Sequence, residues 1–331
     1  MPIRRIVLLS LALLLLAAAA FAAELSTPEF APDLVVTTAT NSAGATFTIL
    51  SPYRNYPNWY EGEFHCHTTN SDGACTPAEL EAKYDCTMPD WIAITDHERI
   101  TGNPAAEGGR DLALVINGQE HGTNEGHTNI IGLSKLITAS SCQDAINDAL
   151  SQGAVIQLDH PEWLAGYDMR ELSRLKGYQL IEIYNAGCES GMEYGTNAWD
   201  YVLSRGQISW GTATDDFHGG LNDRVAMGYV TINAPELTQA AMLTNLRNGN
   251  FYATQGPELH LTVEGKTITV TVDRDATVLF RGPGGAAFKV DDPKAGARSS
   301  YTLEGDEQYV RVEIVQGGAR AWSQPIFVRR G

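Results

Sequence analysis

Two histidines one residue apart, His65 and His67, stand in the stretch Phe64-His65-Cys66-His67-Thr68-Thr69-Asn70-Ser71-Asp72-Gly73. An aromatic residue ahead of them and turn-forming residues behind them place the stretch where a strand runs out into a loop. Successive side chains of a strand point to opposite faces, so His65 and His67 emerge together while Cys66 faces the other way. Two imidazoles on one side, followed by the carboxylate of Asp72, form a nitrogen and oxygen donor set suited to a divalent cation. A His-x-His by itself is also a common surface or packing feature, so the reading depends on the rest of the chain.

The rest of the chain repeats the pattern. Of its eight histidines, His65, His67, His97, His121, His127, His160 and His218 lie in or beside loops that follow short apolar runs, and only His260 lies elsewhere. Trp91–Ile94 ends in Thr95-Asp96-His97-Glu98, and residues 112–116 lead to Gly118-Gln119-Glu120-His121. His127 stands at the entrance of a strand over 128–133. The run 154–158 ends in Asp159-His160-Pro161, and 180–184 ends at Asn185. Residues 208–211 lead into Asp215-Asp216-Phe217-His218.

Between these runs lie helix signals. Thr76-Pro77-Ala78-Glu79 is a capping box that opens a helix over 77–84. Further helices are expected over 141–151, 169–176, 196–204 and 236–247, ending at Gly153, Gly177, Gly206 and Gly249. Repeated strand, loop and helix units predict an α/β fold. Polar residues clustered after the strands favour a barrel over an open sheet, because the strand ends of a barrel converge on one mouth. No glycine-rich loop follows the first strand, which argues against a dinucleotide-binding fold. Beyond Pro257 the helix signals stop, and strands over 259–263, 267–272, 276–280, 309–315 and 325–328 predict a small β-sandwich-like domain. The expected organisation is therefore 1–22, a signal peptide; 23–58, an extended or β arm; 59–257, the site-bearing domain; and 258–331, the β domain.

The compartment is read from the first residues. Arg4 and Arg5 precede a Leu- and Ala-rich run to Ala23, the pattern of an export signal cleaved near Ala20-Phe21-Ala22. The run is near spanning length, so an uncleaved anchor is the alternative. Cleavage predicts a periplasmic or extracellular protein with no stable membrane insertion. The net charge of -17 argues against nucleic acid as a partner and leaves a small anionic or ester substrate. The five cysteines leave one thiol unpaired at least, with Cys75 and Cys86 the plausible disulfide.

Taken together, His65-Cys66-His67 with Ser71-Asp72-Gly73, Thr95-Asp96-His97, Gly118-Gln119-Glu120, Gly126-His127, His160-Pro161 and Asp216-Phe217-His218 resemble the PHP (polymerase and histidinol phosphatase) superfamily over residues 59–257. The segments 246–257 and 321–326 resemble its exported branch, related to CehA/McbA-type hydrolases. The resemblance implies a distorted (β/α)7 TIM-like barrel holding two to three divalent ions, with Zn, Mn and Fe equally suited to the donors. It implies His65, His67, Glu120 and Asp216 around one ion and Asp72, His97 and His218 around a second. Glu120 would bridge to a third, completed by His127 and His160. Asp72, His97, Glu120, Asp216 and His218 would carry the chemistry.

The expected reaction is hydrolysis of a small phosphate ester, with a hydroxide bridging two ions as nucleophile. Hydrolysis of a carbamate, ester or amide at the same centre is the alternative, and a non-catalytic binding protein ranks below both. Asp96 and Asp215 are expected to orient neighbouring ligands rather than to be ligands, and His121 to be structural. Arg224 and Asn185 are the candidate substrate contacts.

Overall fold

The computed structural model describes residues 31–88, 90–102, 113–164, 166–220 and 225–330. The signal segment 1–22 and Arg224 lie outside these residues. Pro32–Gly331 forms one compact unit. No helix among the described residues is long and apolar enough to cross a membrane.

The site-bearing half is built on seven strands that follow one another in both sequence and space. They are β3 (Asn58–Glu63), β4 (Trp91–Ile94), β5 (Leu114–Gly122), β6 (His127–Ile131), β7 (Val155–Leu158), β8 (Leu180–Asn185) and β9 (Trp210–Thr214). β3, β4 and β5 pair in parallel, β6 runs antiparallel to both β5 and β7, and β7, β8 and β9 are again parallel. Every strand but β6 therefore ends at the same edge of the sheet, and β6 begins there. That single reversal explains why His127, at the start of a strand, joins residues that follow strand ends. β4, β7, β8 and β9 are buried at every position, which is why none of them shows the apolar and polar alternation of a half-exposed strand.

The expected barrel is corrected to a mixed α/β sheet whose ladder does not close. Among the described residues β9 has no second strand partner, and one parallel bridge, Cys66 to Phe217, spans the gap to the chain beyond β3. His67 N–H donates to the Phe217 carbonyl at 2.8 Å and Phe217 N–H to the His65 carbonyl at 3.0 Å. Further along β9 the free edge is met by a side chain: the amide of Gln324 accepts from Gly211 N–H and donates to the Gly211 carbonyl, both at 2.8 Å.

Among the described residues five helices flank the sheet: α1 (Pro77–Asp85), α2 (Cys142–Ser151), α3 (Met169–Arg174), α4 (Thr196–Ser204) and α5 (Gln239–Asn248). The capping box of α1 is formed, with Thr76 Oγ1 accepting from Glu79 N–H and Glu79 Oε2 accepting from Thr76 N–H at 2.8 Å. α5 stops at Gly249, whose φ of 75° is left-handed. A Cβ there would lie 2.6 Å from the Trp210 ring, so conformation and packing both require glycine.

β10 (Tyr229–Ala234) and β11 (Phe251–Thr254), absent from the sequence reading, extend the sheet antiparallel from β3. β11 in turn pairs with β18 (Ala319–Ser323), so the C-terminal residues continue the same ladder rather than begin a detached one. β1 (Val35–Thr40), β2 (Thr46–Ser51), β14 (Thr277–Arg281), β15 (Ala287–Asp291), β17 (Tyr309–Gln316) and β19 (Ile326–Arg330) complete it. A separate three-stranded sheet of β12 (His260–Glu264), β13 (Thr267–Thr271) and β16 (Arg298–Thr302) closes over an apolar core that includes Ile268, Val270, Phe280, Val312 and Ile314.

Candidate metal centre

The side chains at the common strand edge converge on Glu120, the seventh residue of β5. Its pairing with β4 continues past the strand as a parallel bridge to His97, which brings those two side chains to one edge. Glu120 Oε2 lies 3.0 Å from His67 Nε2, 3.3 Å from His65 Nε2 and 3.4 Å from His97 Nδ1. Its other oxygen accepts from His127 Nδ1 at 2.7 Å and lies 3.3 Å from His160 Nε2. Asp216 Oδ1 lies 3.2 Å from the Nε2 atoms of both His65 and His67. Asp72 Oδ2 approaches His97 Nε2 at 3.6 Å and His218 Nε2 at 3.4 Å.

All nine candidate ligands are thus gathered in one place, eight of them in three overlapping groups and His160 beside Glu120. His65, His67, Glu120 and Asp216 form one, and His67, Asp72, His97 and His218 a second. His97, Glu120 and His127 form the third, with donor atoms in each group within 4.8 Å of one another. The third differs from expectation in that His97 joins it, while His160 meets it through Glu120.

The electrostatics are those of carboxylates crowded among imidazoles. Burial alone would push the His67 ring down, yet Asp216 and Glu120 hold it up at about 9. Burial likewise opposes the charged form of His65, but Asp216, Glu120 and Glu182 raise it well above its ordinary value. Against burial, the His65 ring and the hydrogen bonds from His127 and His160 keep Glu120 well below the usual carboxylate range. The cluster therefore carries negative charge that, with no other cation, only protonated imidazoles offset.

Whether these residues fit a metal is tested by what they leave unmade. His65 Nε2, His67 Nδ1 and Nε2, His160 Nδ1 and Asp216 Oδ1 are buried and have no hydrogen-bond partner. Buried polar atoms without partners cost on the order of 1–3 kcal/mol each, and those of His65, His67 and Asp216 belong to residues of one group of candidate ligands. Soft-to-borderline nitrogen donors mixed with hard oxygens suit a divalent transition metal or zinc. The residues fit.

A cavity of about 840 Å³ opens over the cluster. Asp72, His97, His127, His160 and His218 line it, together with Trp163, Cys188, Glu189 and Glu193. The rings of His160 and Trp163 meet edge to face at 4.9 Å, and Trp163 Nε1 donates to Glu189 at 3.0 Å.

Other expectations find different places. Asn185, a candidate substrate contact, is buried and fully engaged: Nδ2 donates to Glu182 and Asp216, and Oδ1 accepts from Gly187 and Cys188 N–H. The strand-end rule placed it correctly, but its amide turns into the protein. Asp96 does not touch the His97 ring. It accepts from Thr68 N–H and Oγ1, Ser71 Oγ and Thr101 Oγ1, fixing the loop that carries Asp72.

Asp215 holds another loop by accepting from Tyr84 Oη and from the N–H groups of Ala226, Met227 and Gly228. His121 turns away from Glu120 to Glu98 and the Ala139 carbonyl. Cys66 is buried among Leu80, Tyr84, Ile94 and Phe217. The expected Cys75–Cys86 disulfide is not formed, with Cys75 buried and Cys86 exposed. The sequence reading missed Glu182, whose one visible signal is an acid in the middle of a fully buried strand.

No protein-family model and no curated protein matches the chain. Among the solved structures similar to it are three that differ in their described activities. One is a two-domain protein of Bacteroides vulgatus containing a predicted PHP-like metal-dependent phosphoesterase, 19% identical, covering 79% of this chain and 93% of that one at a TM-score of 0.49. Another is an amidohydrolase of Chromobacterium violaceum with bound sulfate and no metal, 16% identical, covering 49% of this chain and 89% of that one at a TM-score of 0.38. The third is a lesion-specific endonuclease of Pyrococcus furiosus, 11% identical, covering 58% of this chain and 56% of that one at a TM-score of 0.41.

Proposed function

We propose that the chain is a metal-dependent hydrolase of the PHP type, the centre standing at the edge where its seven consecutive strands bring their ends together. The particular activity proposed is hydrolysis of a small phosphate ester. The observation that carries the reading is Glu120, whose two oxygens are shared among five imidazoles in a nest of buried, unpartnered donor atoms.

His65, His67, Glu120 and Asp216 would hold one ion, Asp72, His97 and His218 a second, and Glu120, His127 and His160 a third. Divalent ions there would activate water, polarise substrate oxygens and neutralise charge that develops on the leaving group. The protein's own part is to hold these donors rigidly. His65 and His67 are fully buried, so their rings are fixed by packing before substrate arrives. His97, His218 and Asp72 are more exposed, with side chains 31%, 40% and 55% accessible, and they are the groups placed to meet substrate through the opening. Trp163 offers an apolar surface beside His160 and narrows the approach of water.

Carbamate, ester or amide hydrolysis is the second reading. It is favoured by the lining, which among the described residues contains no Lys or Arg to select an anion. The acidic composition and the leader-like N-terminus support an exported protein that acts on small molecules rather than nucleic acid.

The test is to purify the chain without residues 1–22, reconstitute it with Zn, Mn or Fe, count metals by elemental analysis and assay phosphate mono- and diesters beside aryl carbamates and esters. Two or three ions per chain and phosphoester turnover are expected. Fewer than two ions would overturn the multinuclear centre, and carbamate turnover alone would replace the first reading by the second. A His65→Ala, His67→Ala double variant as fast as the parent would overturn the site itself.

A further inference from the structure

β8 is buried along its whole length, yet its third residue is a carboxylate, Glu182, only 1% exposed. A buried carboxylate is costly unless its lone pairs are met. Those of Glu182 are met by five donors. Oε1 accepts from His65 Nδ1 at 2.9 Å, from Thr214 Oγ1 and, at 3.4 Å, from Gln157 Nε2. Oε2 accepts from His160 N–H at 2.6 Å and from Asn185 Nδ2 at 2.9 Å. A carboxylate has about four lone-pair sites, so Glu182 is saturated.

Three of those donors belong to or lead to the metal centre. Because the carboxylate only accepts, His65 Nδ1 keeps a proton pointed at Glu182, and Nε2 is the nitrogen whose proton an ion would displace. That nitrogen is the one 3.3 Å from Glu120 and 3.2 Å from Asp216, with no hydrogen-bond partner of its own. The amide of Asn185 carries the same brace onward, its Nδ2 also donating to Asp216 Oδ2 at 3.1 Å. The bond to His160 N–H holds a residue whose backbone is in the left-handed region, with φ 26°. For a residue other than glycine this conformation is strained and persists only where the surroundings enforce it.

We propose that Glu182 is the positioning residue of the metal centre: one carboxylate on β8 that sets the tautomer of His65, fixes the backbone of His160 and, through Asn185, aims Asp216. The inference rests on the metal-dependent reading of the site. It also assigns the buried group of His65, Asp159 and Glu182, whose donor atoms lie within 4.8 Å of one another, to hydrogen bonding rather than to a further ion. The proton on His65 Nδ1 occupies the position such an ion would need.

The test uses the whole mature chain, stripped of metal and titrated with Zn²⁺ against a chromogenic chelator. Glu182→Gln keeps the shape but turns an N–H toward donors whichever way the amide lies. It is expected to bind Zn²⁺ on the order of 10–100-fold more weakly, the usual effect of removing a partner that orients a ligand, with the same number of ions at saturation and an unchanged far-ultraviolet circular dichroism spectrum. Thr214→Val, which removes one donor to Glu182 without touching a candidate ligand, is expected to weaken binding in the same direction. Thr214→Ser, which keeps the hydroxyl, is expected to restore the parent value.

A parent chain that takes up no Zn²⁺ defeats the metal reading itself. A parent that binds, beside a Glu182→Gln variant of equal affinity, overturns the positioning role alone. Loss of one ion with the other affinities unchanged also overturns it, because Glu182 would then be a ligand. Should Glu182→Gln fail to fold, the Thr214 pair decides: equal affinity of Thr214→Val and Thr214→Ser refutes the proposal.

Discussion

Replacing Asp200 with alanine is expected to destabilise the protein more than any other single change at the junction between α4 and β17. Arg311 of β17 is buried there. Its Nε and Nη2 donate to the two oxygens of Asp200 at 2.9 and 2.6 Å, and the Tyr309 hydroxyl donates to the same carboxylate at 3.0 Å. The guanidinium also lies over the Trp199 ring at 5.0 Å. The Ala variant leaves this charge inside the protein with only Glu313 near it, 3.7 Å from Nη1. Breaking a buried pair from one side costs about 3–5 kcal/mol, a large share of the ~5–15 kcal/mol that holds a typical fold. At about 2–4 °C per kcal/mol for a chain near this size, the midpoint falls by roughly 6–20 °C. Thermal unfolding followed by circular dichroism reads it directly. Removing both partners, as Asp200→Leu with Arg311→Met, is expected to recover most of the loss, because no buried charge is left alone. The functional consequence follows from position: α4 begins at Thr196, shortly after residues 186–190 and Glu193, which line the cavity, so KM rises while metal content holds at temperatures well below the midpoint. A single variant that melts within about 2 °C of the parent would refute the view that this ion pair fastens the C-terminal strands to the site-bearing half.

Gln324→Ala removes the amide that satisfies both polar groups of Gly211 on the open edge of β9; at about 1–3 kcal/mol per unsatisfied group, a loss of about 2–6 kcal/mol in chemical denaturation is expected. Thr76→Ala breaks the capping box of α1 and should cost about 1 kcal/mol with no change in metal binding. Gly249→Ala forces a side chain into the left-handed region and against Trp210, so a loss above the ~1–2 kcal/mol of backbone strain alone is expected in the same experiment.

Much of this architecture is legible in the residues because the strands of the site-bearing half are short, apolar and punctuated by the same chemistry. Trp91–Ile94 follows from its apolar run and Thr196–Ser204 from its helical pattern and the stop at Gly206. The capping box of α1 needs only local hydrogen bonds, so four residues specify it. β10 and β11 are a different case. They pair antiparallel with strands far away in the chain, and no local signal says where an α/β alternation stops and such strands begin. Ladder closure is likewise a property of the whole ring, decided here where the Gln324 amide rather than a strand meets Gly211.

The site divides along the same line. His65, His67, His97, His160 and His218 are legible because a strand end exposes whatever follows it to one shared edge, and a type of residue recurring at each edge announces a common task. Asn185 obeys that rule in position and breaks it in direction. It sits at the end of β8, but Glu182 and Asp216 draw its amide inward. Glu182 lies inside the strand, where the pattern predicts only packing. Beyond Asn185 of its own strand, its role depends on donors from residues 65, 157, 160 and 214, which are distant in the chain and adjacent only once β7, β8 and β9 have paired and brought the edge of β3 to meet them. Ligands can thus be recognised one strand at a time, whereas the group that orients them exists only as a consequence of the fold. An acid in a strand otherwise built to exclude water is the trace such a group leaves in the sequence, since nothing short of several converging donors would make its burial tolerable.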